Sequence, residues 1–143
     1  MARVLVIEDD HSIAMMLAFV LGHQDFEVEI CTDGSEAMAR LDGEPTDAVV
    51  TDVMLPSDET GLDVVRELRR RDEWRDVPAI IVSALGDDGH QWNGWRAGAT
   101  GYLAKPFDTE DLLALLEEQL APVDDPLAGL DVPPPPRHAL PAN

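Results

Sequence analysis

With 29 acidic residues against 10 basic ones, the 143-residue chain carries a formal net charge of −19, which argues against direct binding to nucleic acid or anionic lipid. Its length allows one ordinary core of about 110 to 125 residues. A single cysteine, Cys31, rules out an intrachain disulfide and reads as a small buried hydrophobe. No apolar run approaches a membrane span, and no basic segment precedes a long apolar stretch at the N-terminus, so a cytoplasmic location is expected.

An apolar run over residues 4–7 predicts the first strand, and it ends in Glu8, Asp9 and Asp10. Ile13, Met16, Leu17, Val20 and Leu21 recur at helical spacing and predict an amphipathic helix that Gly22 ends. Period-two alternation over 26–30 predicts a more exposed strand. Ala37, Met38 and Leu41 predict a short helix from Ser35, stopped by Gly43 and Pro45. Residues 48–51 form an apolar run of the kind covered on both faces, and it leads into Asp52. Leu62, Val65 and Leu68 predict a third helix closing on Arg69, Arg70 and Arg71, whose charges suit a helix C-terminus. A further buried strand over 79–82 precedes Ser83. Residues 87–98 are expected to be helical, though Gly89 and Gly94 weaken that stretch; Trp92 and Trp95, three apart on it, read as packing or partner-contact residues. A short fifth strand over 101–104 precedes Lys105. Asp108 is placed to N-cap a final helix, whose apolar face is Leu112, Leu113, Leu116 and Leu120.

Five strands alternating with five helices predict a doubly wound α/β domain with a parallel sheet. Right-handed crossovers then bring the C-terminal ends of all strands to one edge, where such sheets bind ligands. Seven of the eleven prolines fall in the last 22 residues, so the domain is expected over 1–121. Residues 122–143 are expected to form a proline-rich, disordered tail or linker with polyproline II character.

That shared edge would hold an unusual set of charges. Lys105 is the only lysine in the chain, and Glu8, Asp9 and Asp52 all follow apolar runs. Three carboxylates at adjacent strand ends repel one another and raise one another's pKa values, which a hard dication relieves. Mg²⁺ takes one or two carboxylates together with waters and phosphate oxygens. A carboxylate can also attack phosphorus and form an aspartyl phosphate, and the protein's part is then placement and neutralisation of the phosphoryl oxygens. Lys105 suits that second task as a compact charge with three donors, and Ser83 can offer a hydroxyl.

These motifs resemble those of a response-regulator receiver domain, the CheY-like superfamily of two-component signal transduction, from the start of the chain to about Ala121. The matching residues are Glu8 and Asp9; Asp52 with Pro56 four residues on; Ser83 and Ala84; Tyr102; and Lys105 with Pro106. The resemblance implies a flavodoxin-like fold with strand order 2-1-3-4-5 and helices on both faces. It makes Asp52 the phosphoacceptor, Asp9 a direct Mg²⁺ ligand, Glu8 a ligand through water and the Met54 backbone carbonyl a third protein ligand, with Mn²⁺ as a substitute metal. Ser83, next to Ala84, and Lys105 would hold the phosphoryl oxygens. Tyr102 would turn inward on phosphorylation and remodel the face formed by the fourth helix, the fifth strand and the final helix. Pro56 and Pro106 would shape the neighbouring loops. The implied partners are a histidine kinase or histidine phosphotransfer protein and a downstream protein effector. The implied assembly is a monomer or weak dimer, either free-standing or cut from a longer regulator.

Three features depart from the family's usual pattern. Gly61 stands nine residues after Asp52 rather than eight, behind Ser57, Asp58, Glu59 and Thr60. The final helix carries Glu110, Asp111, Glu117 and Glu118 and no Lys or Arg, which disfavours a symmetric dimer through that face. Met54 and Leu85, which should flank the phosphoryl group, are apolar and cannot position an attacking water, so slow dephosphorylation is expected. Two other classes are weighed: a receiver-like scaffold that takes no phosphate, and an aspartyl-nucleophile phosphohydrolase. The second wants an acid two residues after the nucleophile, where Met54 stands.

Overall fold

The computed structural model describes residues 2–84 and 95–121. Apolar runs and amphipathic stretches alternate as β1 (Ala2–Ile7), α1 (His11–His23), β2 (Phe26–Cys31), α2 (Gly34–Arg40), β3 (Ala48–Asp52), α3 (Gly61–Arg70), β4 (Ala79–Ala84), β5 (Gly101–Lys105) and a C-terminal helix (Thr109–Leu120). The strands form one sheet in the order β2-β1-β3-β4-β5, and every pairing is parallel. Parallel neighbours need long crossovers, which is why a helix follows each described strand that has its connection in view.

Alternation along each strand splits the core into two layers. Leu5, Ile7, Val49 and Ile81 point to the side covered by α2 and α3, where they meet Ala37, Leu41, Val64, Val65 and Leu68. Val4, Val6, Val50, Ile80 and Val82 point to the opposite side, against Leu17 and Leu21 of α1 and Leu112 and Leu116 of the C-terminal helix. Both faces of the three central strands are thus apolar, and all five β3 residues are buried.

The local details differ from the sequence expectation in several places. Gly22 does not end α1, which continues to His23; the turn to β2 is made by Asp25, whose φ is +66°. Met16 is 43% exposed, because the buried stripe of α1 runs through Ala14, Leu17 and Leu21. Asp108 occupies the N-cap position of the C-terminal helix, but its side chain makes no capping hydrogen bond; its backbone carbonyl accepts from the Asp111 N–H instead. Asp10 does cap α1, accepting from the Ile13 N–H at 3.1 Å. Of the helix expected over 87–98, only 95–98 lies within the described residues, with 95–97 helical; Leu85, Trp92 and the tail from 122 lie outside them.

Arg69 departs furthest from its expected role of offsetting a helix dipole. Its guanidinium donates to the backbone carbonyls of Gly98 (2.9 Å), Arg75 (2.8 Å) and Val77 (2.7 Å). It thereby ties the end of α3 to the turn before β4 and to the chain entering β5. Trp74, fully buried in that turn, donates from its indole nitrogen to the Leu41 carbonyl at 2.9 Å.

Candidate functional site

β1 and β3 are adjacent and parallel, with Ile7 opposite Thr51, so Glu8 and Asp52 leave the sheet side by side. β5 is two strands away from β3, and its last residue is Lys105. The long lysine side chain spans that gap. Its Nζ donates to Asp52 Oδ2 at 2.6 Å and to Glu8 Oε1 at 3.3 Å. Carboxylate oxygens of Glu8, Asp9 and Asp52 lie within 4.8 Å of one another. Residues separated by up to 97 positions in sequence are therefore brought to one pocket by topology.

The pocket is graded in exposure. Glu8 is 4% and Asp52 9% exposed, whereas Asp9 faces solvent. Burial pushes the Glu8 carboxyl above the usual carboxylate range; the Asp10 N–H, 3.0 Å from Oε2, works against this, while the Asp52 charge adds to it. Burial also opposes the charge on Lys105, but the hydrogen bond and charge of Asp52, then those of Glu8, outweigh it and hold the ammonium above the ordinary lysine value. Three carboxylates and one ammonium leave the pocket with a formal charge of −2, the charge a divalent cation cancels. Hard oxygen donors with one exposed member suit Mg²⁺, which keeps several of its waters.

The neighbouring backbone fixes Asp52. Its Oδ1 accepts from the Met54 N–H at 3.3 Å, and its carbonyl oxygen accepts from the Thr51 hydroxyl at 2.9 Å. Gly61, the first residue of α3, packs so closely that a Cβ there would overlap the Asp52 carbonyl oxygen. Its N–H donates to the Val53 carbonyl at 2.9 Å. The longer loop thus returns to the base of the site despite its added residue. On the first strand, the Glu8 N–H donates to the Cys31 carbonyl at 2.9 Å, and Cys31 is buried as expected.

The other residues singled out from sequence sit around this centre. Ser83, 2% exposed, lies within β4 rather than after it, one residue beyond Val82, the register partner of Asp52. Ala84 stands opposite Lys105 in the β4–β5 ladder. Tyr102, opposite Ile81, is half-buried against the core layer on the α2–α3 side. The Met54 side chain is 65% exposed and Pro56 is exposed. The Lys105–Pro106 peptide bond is cis. Ser57 and Gly34, which pin the loop after Met54, escaped the sequence reading because their partners are more than 20 residues away, beyond any local periodicity.

Comparison with known proteins agrees with this geometry. The family model described as response regulator receiver domain matches residues 4–117. The sensory transduction protein RegX3 of Mycobacterium tuberculosis is 38% identical over 120 residues, which is 84% of this chain and 51% of that protein. The chain spans about half the length of the curated relatives it matches. Among solved structures, the chemotaxis response regulator CheY4 of Vibrio cholerae superposes with a TM-score of 0.78 at 33% identity, covering 84% of this chain and 99% of that one. The receiver domain of the sensor histidine kinase PA1611 from Pseudomonas aeruginosa superposes with a TM-score of 0.74 at 28% identity, covering 85% and 98%; that structure has a magnesium ion coordinated in its active-site cleft.

Proposed function

We propose, for a chain that belongs to the response regulator receiver domain family, a phosphorylation-controlled switch in which Asp52 accepts a phosphoryl group from a phosphohistidine protein in a Mg²⁺-dependent reaction. The observation that carries this reading is the Lys105–Asp52 contact of 2.6 Å inside a cluster of three carboxylates. Asp9, Asp52 and the Met54 carbonyl would hold the cation, with Glu8 acting through water. Bound there, Mg²⁺ supplies neutralisation of the phosphoryl oxygens and of the carboxylates that surround them.

An Asp52 carboxylate oxygen bonds to phosphorus as the P–N bond of the phosphohistidine breaks, and the imidazole leaves with that electron pair. Burial keeps Asp52 poorly hydrated, so its charge is held by Lys105 and by the Met54 N–H rather than by bulk water. Lys105 can pass from the carboxylate to a phosphoryl oxygen without crossing the pocket, and Ser83 approaches from the neighbouring strand. Tyr102, on the next strand, would relay the change to the face of β5 and the C-terminal helix. Each chain takes up one phosphoryl group, so the protein acts as a switch rather than as a turnover enzyme. Residues 1–121 form the receiver in this reading, and 122–143 a linker or tethering tail. The partners are a histidine kinase or phosphotransfer protein upstream and a protein effector downstream, in the cytoplasm.

Incubation with Mg²⁺ and a small acyl-phosphate donor tests this. The parent chain should take up one acid-stable, base-labile phosphate, and Asp52→Asn none. No label on either chain would favour a phosphate-independent scaffold, and many turnovers per chain a phosphohydrolase. With Met54 and Leu85 at the flanking positions, the label should outlast donor removal by minutes or more; loss within seconds would sink that part of the reading.

A further inference from the structure

Met54 sits on the loop between β3 and α3, which has one residue more than the family's commonest spacing. A carbonyl that holds a cation must nevertheless be fixed, because Mg²⁺ demands near-ideal octahedral geometry. The described contacts show what anchors the loop that carries it. The Ser57 hydroxyl accepts from the Gly34 N–H at 2.8 Å and lies 3.1 Å from the Glu59 carbonyl, to which it donates. Gly34 is the first residue of α2, so its N–H has no partner within the helix. The Asp33 carboxylate is already engaged with the Glu36 N–H at 2.7 Å, which leaves Gly34 to a residue from another segment. A second link runs beside the first, from the Ser35 hydroxyl to Glu59 Oε1 at 2.9 Å.

The approach is close enough to need glycine. A Cβ on Gly34 would overlap the Glu59 carbonyl oxygen and come within 2.7 Å of the Glu59 Cβ and 2.8 Å of the Ser57 hydroxyl. The far end of the loop is anchored by the Gly61 N–H on the Val53 carbonyl. The segment carrying Met54 is thus clamped between the start of α2 and the base of α3, and it offers its own N–H to Asp52.

We propose that Ser57 is a positioning residue for the cation, and that Gly34 is the surface against which it docks the loop. The start of α2 is thereby built into the metal affinity of the site, although no residue of α2 reaches the carboxylate cluster. This inference rests on the reading of the Met54 carbonyl as a ligand given above.

The test is a titration with MgCl₂ of the parent chain, Ser57→Ala, Ser57→Thr and Gly34→Ala, followed by the amide NMR shifts of residues 8–10 and 52–54. Ser57→Ala and Gly34→Ala should each weaken Mg²⁺ binding by about tenfold, while Ser57→Thr, which keeps the hydroxyl, stays within about twofold of the parent. Gly34→Ala puts a better helix former into α2, so a weaker site in that variant reports loop displacement and not a frayed helix. Hydrogen exchange of the Gly34 amide, slow in the parent and faster in Ser57→Ala, checks the contact in the intact protein. A parent that binds Mg²⁺ alongside Ser57→Ala and Gly34→Ala variants of equal affinity overturns the positioning role alone. So does a Ser57→Thr chain as weak as Ser57→Ala, or an equally fast Gly34 amide in both chains. A parent that binds no Mg²⁺ overturns the metal reading, and this inference with it.

Discussion

A methyl group at position 61 would overlap the Asp52 carbonyl oxygen, with the Thr51 hydroxyl 3.0 Å away. Alanine is worth about 1 kcal/mol more than glycine within a helix, so propensity alone makes Gly61→Ala stabilising. The overlap should reverse that sign and cost about 1–3 kcal/mol net, read as a lower urea midpoint, with slower phosphate uptake at the displaced Asp52. Cys31 gives a second test at this scale. Burial, with the charges of Glu36 and Glu29, pushes its thiol up to about 11 from an ordinary 9.0. The raised folded value means that the thiol's contribution to stability is complete below about pH 9 and is lost as pH rises through about 11. Cys31→Ala should therefore flatten the alkaline limb of the stability curve. The native thiol should resist iodoacetamide at about pH 8 and react once the chain is unfolded in urea.

Among the elements, the turn between α3 and β4 depends on Arg69, whose guanidinium serves four carbonyls from two separate segments. Arg69→Met should cost about 2–3 kcal/mol in urea unfolding, because several partly buried carbonyls lose a charged donor together, and Arg69→Lys should recover only a minor part of it, since an ammonium lacks the planar fork. This clamp also shows where the sequence stops being informative. The strands and helices could be read from the chain because apolar period is a local property: residues 48–51 and 79–82 are buried on both faces as their composition implies. Arg69 looked like any arginine at a helix end, since its partners lie up to 29 positions away. Gly22 misled for a related reason: glycine often follows a helix, but the left-handed turn here fell to Asp25. Met16 fitted the helical pattern, yet the buried stripe of α1 runs through Ala14, Leu17 and Leu21 and leaves Met16 exposed. At the site, the acids and the lysine were legible as strand-end charges, whereas the Ser57–Gly34 clamp was not, because it joins a loop to the start of a helix 23 positions away with no shared period.

At the scale of the whole molecule, the charge of −19 opposes compaction, and the salt bridges within α3 and between α2 and β2 offset only part of it. Raising NaCl from roughly 0.1 M to 1 M shortens the screening length from about 10 Å to 3 Å, so the urea midpoint should rise over that range. A flat or falling midpoint would mean that the acids are spaced too widely to repel. Lys105 matters here as well, because it already sits between the two buried acids of the pocket. The fold carries its own counter-ion. Folding and ion loading are therefore separate events, unlike small zinc domains, whose structure collapses once the metal is stripped. A chelator such as EDTA should lower the melting temperature only by the increment that cation binding to the folded state adds, and the pocket should persist, assembled and ready to be charged.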